Sequence, residues 1–176
     1  MTDTANPLTT TTKEGQQMTE TTELPVRPQS VAELEALIGK TIGPTEWHDV
    51  TQESVDAFAD ATGDHQWIHV DPERAAQSPL GTTIAHGLYS LSLGPAFSYS
   101  LISFEAFTHS LNYGYEKVRF PAPLPIGSRV RMTTEVVAID HVPGGVQVRA
   151  RQVFEREGHD KPVAVAESLG RLVEGA

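Results

Sequence analysis

From residue 112 onward the hydrophobic period of this chain is two, and it holds through four successive segments. "NYGYEKVRF" (112–120), "SRVRMTTEVVAID" (128–140), "GVQVRARQVFER" (145–156) and "PVAVAESLGRLVE" (162–174) all alternate apolar with polar residues, as half-buried strands do. Val130, Met132, Thr134 and Val136 fall on one face, with Arg129, Arg131, Thr133 and Glu135 on the other. "HVPGG" and "EGHDK" are hairpin-like connections, and "PAPLPIG" (121–127) is a Pro-rich crossing. A meander of this kind has one apolar face, and that face must be covered.

The segment suited to covering it is "IAHGLYSLSLGPAFSYSLIS" (84–103), which carries no Asp, Glu, Lys or Arg. Leu88, Leu91, Pro95, Tyr99 and Ile102 would line one face of a helix, while Leu93, Phe97 and Leu101 lie elsewhere around it. A helix apolar nearly all round is a buried helix. Pro95 lacks a backbone donor, which predicts a kink or break near Gly94–Pro95. Helices first and strands afterwards predict an α+β domain in which the sheet wraps this one long helix.

Shorter elements precede it. "SVAELEALIG" (30–39) is a predicted helix with Ser30 as N-cap and Gly39 as stop. "TEWHDVT" (45–51) alternates and predicts a strand. "TQESVDAFADATG" puts Val55, Phe58 and Ala59 on one helical face, with Thr51 as N-cap, Glu53 in the first turn and Gly63 as the stop. In "DPERAAQ" (71–77), Asp71 caps a single helical turn with Pro72 at its first position.

Residues 1–27 read differently. Nine of the first 22 residues are Thr, and no apolar periodicity is present. Such a segment buries too little surface to offset its ordering entropy, so a disordered tail is expected, with a single domain over 28–176. The tail lacks the apolar core of a signal peptide, and no apolar run is long enough to span a bilayer, so no membrane partner is expected. With no cysteine the chain has neither disulfides nor thiolate chemistry, which fits a reducing, cytoplasmic setting. A formal net charge of −10 argues against nucleic acid as a partner.

Acid, base and ring side chains crowd into "TGDHQWIHVDP" (62–72), a predicted loop fixed at one end by the helix that stops at Gly63. Asp64 and His69 have the residue types of an acid–base pair. With Ile68 and Val70 beside it in an extended run, His69 faces inward while they pack elsewhere, or the reverse. His65, His69, Asp64 and Asp71 are donors of the kind that hold metals, but their spacing fits no zinc pattern. The start of the apolar helix, "AHG", is a second candidate. Its free N–H groups and dipole favour negative charge, and Gly87 has no Cβ to keep a ligand away from its backbone. Those are parts of an oxyanion hole, although clearance for packing also explains a glycine. His86 reads as a capping or supporting residue, and Ser92, among leucines, as a hydroxyl bonded back to its own helix. A nucleophilic mechanism has no footing, since there is no Cys and no G-x-S-x-G stretch. Lys117, Arg119 and Arg129 are cations on strands, where charge ordinarily faces water.

Taken together, "TGDHQWIHVDPERAAQSPLGTTIAHGLYSLSL" resembles the hydratase motif of the MaoC-like, (R)-specific enoyl-CoA hydratases, in their NodN-like branch. There an Asp is followed five residues later by a His, and an Ala-His-Gly step opens the central helix. "NYGYEKVRFPAPLPIGSRV" is similar to the same family's next strand, and the resemblance spans about residues 30–173. It implies a hot-dog fold and the reversible hydration of a trans-2-enoyl thioester to the (3R)-3-hydroxyacyl form. Asp64 and His69 would hold the water, Gly87 would bind the thioester oxygen, and Ser92, His86 and Gln66 would support them. The family often reads Asp-x-Asn-Pro-x-His; here Gln66 and Trp67 stand at the Asn and Pro positions, so an amide is kept with a longer reach. The implied partners are an acyl-CoA or acyl-carrier-protein thioester and a second copy of the chain, with no metal or redox cofactor. A hot-dog thioesterase and a catalytically silent acyl-thioester-binding subunit are the alternatives.

Overall fold

The computed structural model describes residues 23–173. It contains six helices and six strands: α1 (Val31–Glu35), β1 (Thr41–Ile42), β2 (His48–Asp49), α2 (Gln52–Thr62), α3 (Trp67–Val70), α4 (Pro72–Ala76), α5 (Gly87–Ser92), α6 (Gly94–Leu101), β3 (His109–Arg119), β4 (Arg129–Val142), β5 (Gly145–Arg156) and β6 (Ala164–Val173). The period-two segments are the four long strands. They form one antiparallel sheet in the order β1-β4-β5-β6-β3, with β2 also on β4. Every residue from Val130 to Val136 that was placed on the apolar face is buried: Val130, Met132, Thr134 and Val136.

The helix laid on this face is in two pieces, broken at Leu93 just before Gly94–Pro95. It is shorter than the predicted 84–103, because residues 83–86 are extended and bond to 124–126: Ala85 N–H to the Leu124 carbonyl at 2.8 Å, and Ile126 N–H to the Thr83 carbonyl at 2.9 Å. The break also shifts the buried stripe. Tyr89, Ser90, Leu91, Gly94, Phe97 and Leu101 face the core, whereas Leu88 and Tyr99, expected inside, are exposed. Gly94 packs directly against β5; a Cβ there would lie 3.4 Å from both Gln152 and Phe154. Phe154, Leu34, Leu101, Met132 and Leu172 fill the centre of the core.

Local signals placed the small helices. Thr51 Oγ accepts from Ser54 N–H and Gly63 closes α2 in the left-handed region at φ 76°; Asp71 caps α4 with Pro72 in its first turn. Ser30 caps α1, but that helix ends at Glu35, not Gly39, and the chain turns so that Gly39 N–H reaches the Val136 carbonyl. Of the predicted 45–51 strand, His48–Asp49 forms a strand paired with β4, and Thr45 N–H also reaches the Met132 carbonyl of β4 at 2.9 Å. Residues 1–22 of the expected tail lie outside the described residues. Its last residues are part of the fold: Val26 N–H bonds the Leu101 carbonyl, Ser103 N–H bonds the Val26 carbonyl, and Arg27 pairs with Glu105. The predicted boundary at residue 28 is therefore a few residues late. Among the described residues no helix is long and apolar enough to cross a membrane.

Candidate active site

Asp64 follows directly on the left-handed Gly63, which turns the chain off the end of α2. Its Oδ1 accepts from Gln66 N–H at 3.4 Å, and the Gln66 carbonyl accepts from His69 N–H at 2.9 Å. These bonds wind residues 67–70 into a helical turn, so His69 is not in the extended loop that the sequence predicts. The turn rotates His69 inward, to 7% exposure, and leaves Trp67 outside under the Arg74 guanidinium, 4.4 Å from the ring centroid. Gln66 itself is exposed and contributes through its backbone.

Two backbone carbonyls fix the imidazoles. His69 Nδ1 lies 2.7 Å from the Ile84 carbonyl and His86 Nε2 lies 2.9 Å from the Asp64 carbonyl. A carbonyl only accepts, so each of these nitrogens carries a hydrogen. In the neutral rings the lone pairs are then on His69 Nε2 and His86 Nδ1. His86 Nδ1 is buried with no hydrogen-bond partner among the described residues. The two rings stack at 3.7 Å between centroids and 26° between planes. Burial pushes the His69 pKa below the usual histidine value; neighbouring His86 pushes the same way, and the Ile84 bond and Asp64 oppose it. Asp64 Oδ2 stands 4.0 Å from His86 Nε2, and Asp64, His69 and His86 each present one donor atom within 4.8 Å of the others'.

The turn is held from behind by Gln52. Its Nε2 donates to the His69 carbonyl and to Asp56 Oδ1, both at 2.7 Å, while its Oε1 accepts from the Thr83 hydroxyl. Ile84 N–H donates to the Ile68 carbonyl at 3.0 Å, tying the His69 turn to the strand-like run that leads to His86. The Phe58 ring packs on His86 at 5.1 Å. No periodicity in the sequence marks Gln52 for this role.

Beside His69 opens a cavity of about 260 Å³, lined by His69, Gly87, Ser90, Phe120, Leu124 and Val163 among others. A Cβ on Gly87 would lie 2.8 Å from the Phe120 ring, so a glycine is needed here for clearance, and the same lack of a side chain bares the first N–H of α5. Ser90 is 1% exposed and lines the cavity. Ser92 does neither: it is exposed and its hydroxyl donates to the Tyr89 carbonyl at 2.7 Å, with no contact to Asp64 or His69 within the chain. The expected support from Ser92 is therefore absent in the chain itself; a buried stripe one step out of phase puts Ser90 on the wall instead.

Of the four donors considered for a metal, only Asp64 and His69 come together. His65 turns out to Asp60 at 2.9 Å, and Asp71 is occupied as the cap of α4. His86 completes a carboxylate and two imidazoles, a donor set that catalytic zinc also uses. Nε2 of His86 is already engaged with the Asp64 carbonyl, which leaves only its buried Nδ1 to offer. Without any ion, a carboxylate and a neutral imidazole with donor atoms within 4.8 Å of each other can hold a water and move its protons.

Residues 33–157 match the model of the MaoC like domain. The chain is 51% identical to the 3-hydroxyacyl-thioester dehydratase Z of Mycobacterium tuberculosis over 146 residues, 82% of this chain and 97% of that protein. It is also 51% identical to nodulation protein N of Rhizobium leguminosarum over 104 residues, 58% of this chain and 65% of that one. The R-hydratase PhaJ1 of Pseudomonas aeruginosa superposes with a TM-score of 0.66 at 24% identity, covering 82% of this chain and 85% of that one. The (R)-hydratase of A. caviae superposes with a TM-score of 0.64 at 21% identity, covering 77% and 96%. The chain belongs to the MaoC-like dehydratase family, and its architecture is the hot-dog fold.

Proposed function

We propose that this MaoC-like protein reversibly hydrates trans-2-enoyl-CoA to (3R)-3-hydroxyacyl-CoA, with Asp64 and His69 as the catalytic pair. The observation that carries the reading is the meeting of Asp64 and His69, with donor atoms within 4.8 Å of each other, where His69 lines the cavity and its Nε2 is left as a free lone pair. The 51% identity to a 3-hydroxyacyl-thioester dehydratase supports the substrate class.

In the hydration direction a water sits between the Asp64 carboxylate and His69 Nε2. Its oxygen bonds to the β-carbon, and the π-electrons of the double bond move toward the thioester carbonyl as an enolate. One proton leaves the water through the pair, and a proton returns through the pair to the α-carbon, which restores the carbonyl. The two groups share the task and titrate together. The enolate oxygen takes the Gly87 N–H, at a helix end whose unpaired N–H groups favour negative charge. Ser90, buried on the same cavity wall as Gly87, would donate its hydroxyl hydrogen to the thioester carbonyl.

β3 is a long strand at the sheet's edge with Leu111 and Tyr113 exposed, and this supports a homodimer formed edge to edge. A cysteine-free chain fits a cytoplasmic enzyme. The reading is tested by following the enoyl absorbance of crotonyl-CoA, with the product trapped by an (R)-specific 3-hydroxyacyl-CoA dehydrogenase. Loss of absorbance with an (R) product is expected. Release of free CoA thiol without hydration would make it a thioesterase, and binding without turnover a silent subunit.

A further inference from the structure

A second concavity, of about 190 Å³, opens where the C-terminal end of β3 meets the N-terminal end of β6. It is lined by Lys117 and Arg119 of β3, Arg151 of β5, and Val165, Ala166 and Glu167 of β6. The register explains the grouping: Glu167 lies directly across from Lys117 on one side and from Arg151 on the other, and Arg119 lies across from Val165. The cations therefore share a face. Three positive side chains and one carboxylate meet here in a protein whose formal net charge is −10.

These cations are not consumed internally. Arg129, Arg131 and Arg149 each pair with a carboxylate, whereas Lys117, Arg119 and Arg151 make no ion pair among the described residues, even with Glu167 between two of them. Among the described residues Arg119 donates only to the neighbouring Val118 carbonyl, at 2.7 Å. The position matters as much as the charge. Phe120, next in sequence to Arg119, and Val163, two residues before Val165, line the His69 cavity. Two residues of strand are about 7 Å, so the basic concavity lies at the same two strand ends as the cavity wall, with its cations on the sheet face away from the helices.

We infer that Lys117, Arg119 and Arg151 bind the phosphates of the CoA substrate while its acyl end lies at His69. The inference rests on the proposed hydratase reading and names the part of the substrate that this patch holds. Guanidinium groups suit phosphate oxygens, and a concavity suits a compact polyanion better than it suits the broad surface of a carrier protein. Arg129, the third strand cation singled out in the sequence, does not join them, because Glu157 holds it.

The test compares crotonyl-CoA with crotonyl-pantetheine, which has the same reacting end and no phosphate. The wild-type preference for the CoA ester, as the ratio of kcat/KM values, should fall roughly tenfold or more in Lys117→Gln/Arg119→Gln/Arg151→Gln, through KM for crotonyl-CoA. Glu167→Gln, which removes the carboxylate, should lower that KM. Raising the ionic strength should weaken crotonyl-CoA binding in the wild type and do so less in the triple variant. An unchanged ratio in a triple variant with a native circular dichroism spectrum would overturn the inference and leave the hydratase reading standing. Loss with a crotonyl-carrier-protein and none with crotonyl-CoA would overturn it too. If the wild type hydrates neither ester, the hydratase reading fails, and calorimetric binding of CoA decides the patch separately: weaker binding by the triple variant supports it, equal binding overturns it.

Discussion

Gln52→Leu separates positioning from chemistry. The substitution keeps approximate size and removes the amide that donates to the His69 carbonyl and to Asp56 and accepts from Thr83. Asp56 is partly exposed and can turn to water. The Thr83 hydroxyl belongs to a residue only 1% exposed, and stranding it costs about 1–3 kcal/mol. Losing the bond to the His69 carbonyl adds about 1 kcal/mol. The total of roughly 2–4 kcal/mol corresponds to a fall in Tm of about 5–15 °C for a chain this size. The turn carrying His69 is then free to shift, and a displacement near 1 Å costs on the order of 10²-fold in rate. Adding Thr83→Val removes the stranded hydroxyl, so Gln52→Leu/Thr83→Val should regain about 1–2 kcal/mol of stability and none of the rate. Thermal unfolding by circular dichroism and kcat/KM with crotonyl-CoA measure the two effects. If Gln52→Leu loses stability but keeps its rate within about threefold, the His69 turn does not depend on this amide and the reasoning is refuted.

Asp64→Asn and His69→Ala should each lower the hydration rate roughly 10²- to 10⁴-fold, and the double variant should be little worse than the worse single, since one assembled unit is lost once; near-normal turnover by either, with a native fold, removes that residue from the mechanism. The lowered His69 pKa has a signed consequence: the imidazole stays neutral into more acidic solution, so the acidic limb of kcat/KM should have its midpoint below the usual ~6.5. The same shift means the unfolded chain takes up that proton first, so His69's contribution to stability is lost as pH falls from about 6.5 toward the folded value; an acidic limb centred above 7 contradicts both statements. Gly87→Ala should destabilise by about 1–3 kcal/mol and cut activity at least tenfold, because the new methyl meets the Phe120 ring at 2.8 Å in the cavity wall; full activity would mean the ring simply moves. Dialysis against EDTA should leave the rate unchanged, and loss restored by added zinc would make Asp64, His69 and His86 a metal centre.

What the sequence made legible is what is decided within a few residues. Thr51 and Gly63 bracket α2 because a side-chain acceptor and a left-handed glycine act on the turn next to them. Asp71 and Pro72 set α4 for the same reason. The strand faces were legible because a pleat allows only two, and Val130, Met132, Thr134 and Val136 had to share one. The central helix was harder. Its composition is apolar on nearly every side, so composition could not choose a phase, and the break at Leu93 set one that buries Tyr89 and Ser90 and exposes Leu88 and Tyr99. Ser92 entered through the resemblance alone, and Ser90 on the cavity wall carried no signal that the sequence could show.

The site depends on contacts with no local signature. Asp64, His69 and the Ala-His-Gly step could be named in advance, but their working state is chosen by partners far along the chain. Ile84 lies 15 residues from His69, Gln52 lies 17 from it, and Asp64 lies 22 from His86. Two of these partners act through backbone carbonyls, which every residue possesses and no motif records. Yet the Ile84 carbonyl decides that the His69 proton is on Nδ1, and hence that Nε2 holds the lone pair the proposed mechanism needs. Were the same side chains brought together with that bond on Nε2 instead, Nδ1 would hold the lone pair on the wrong side of the ring, and the pair would have the composition of an acid–base site without its direction.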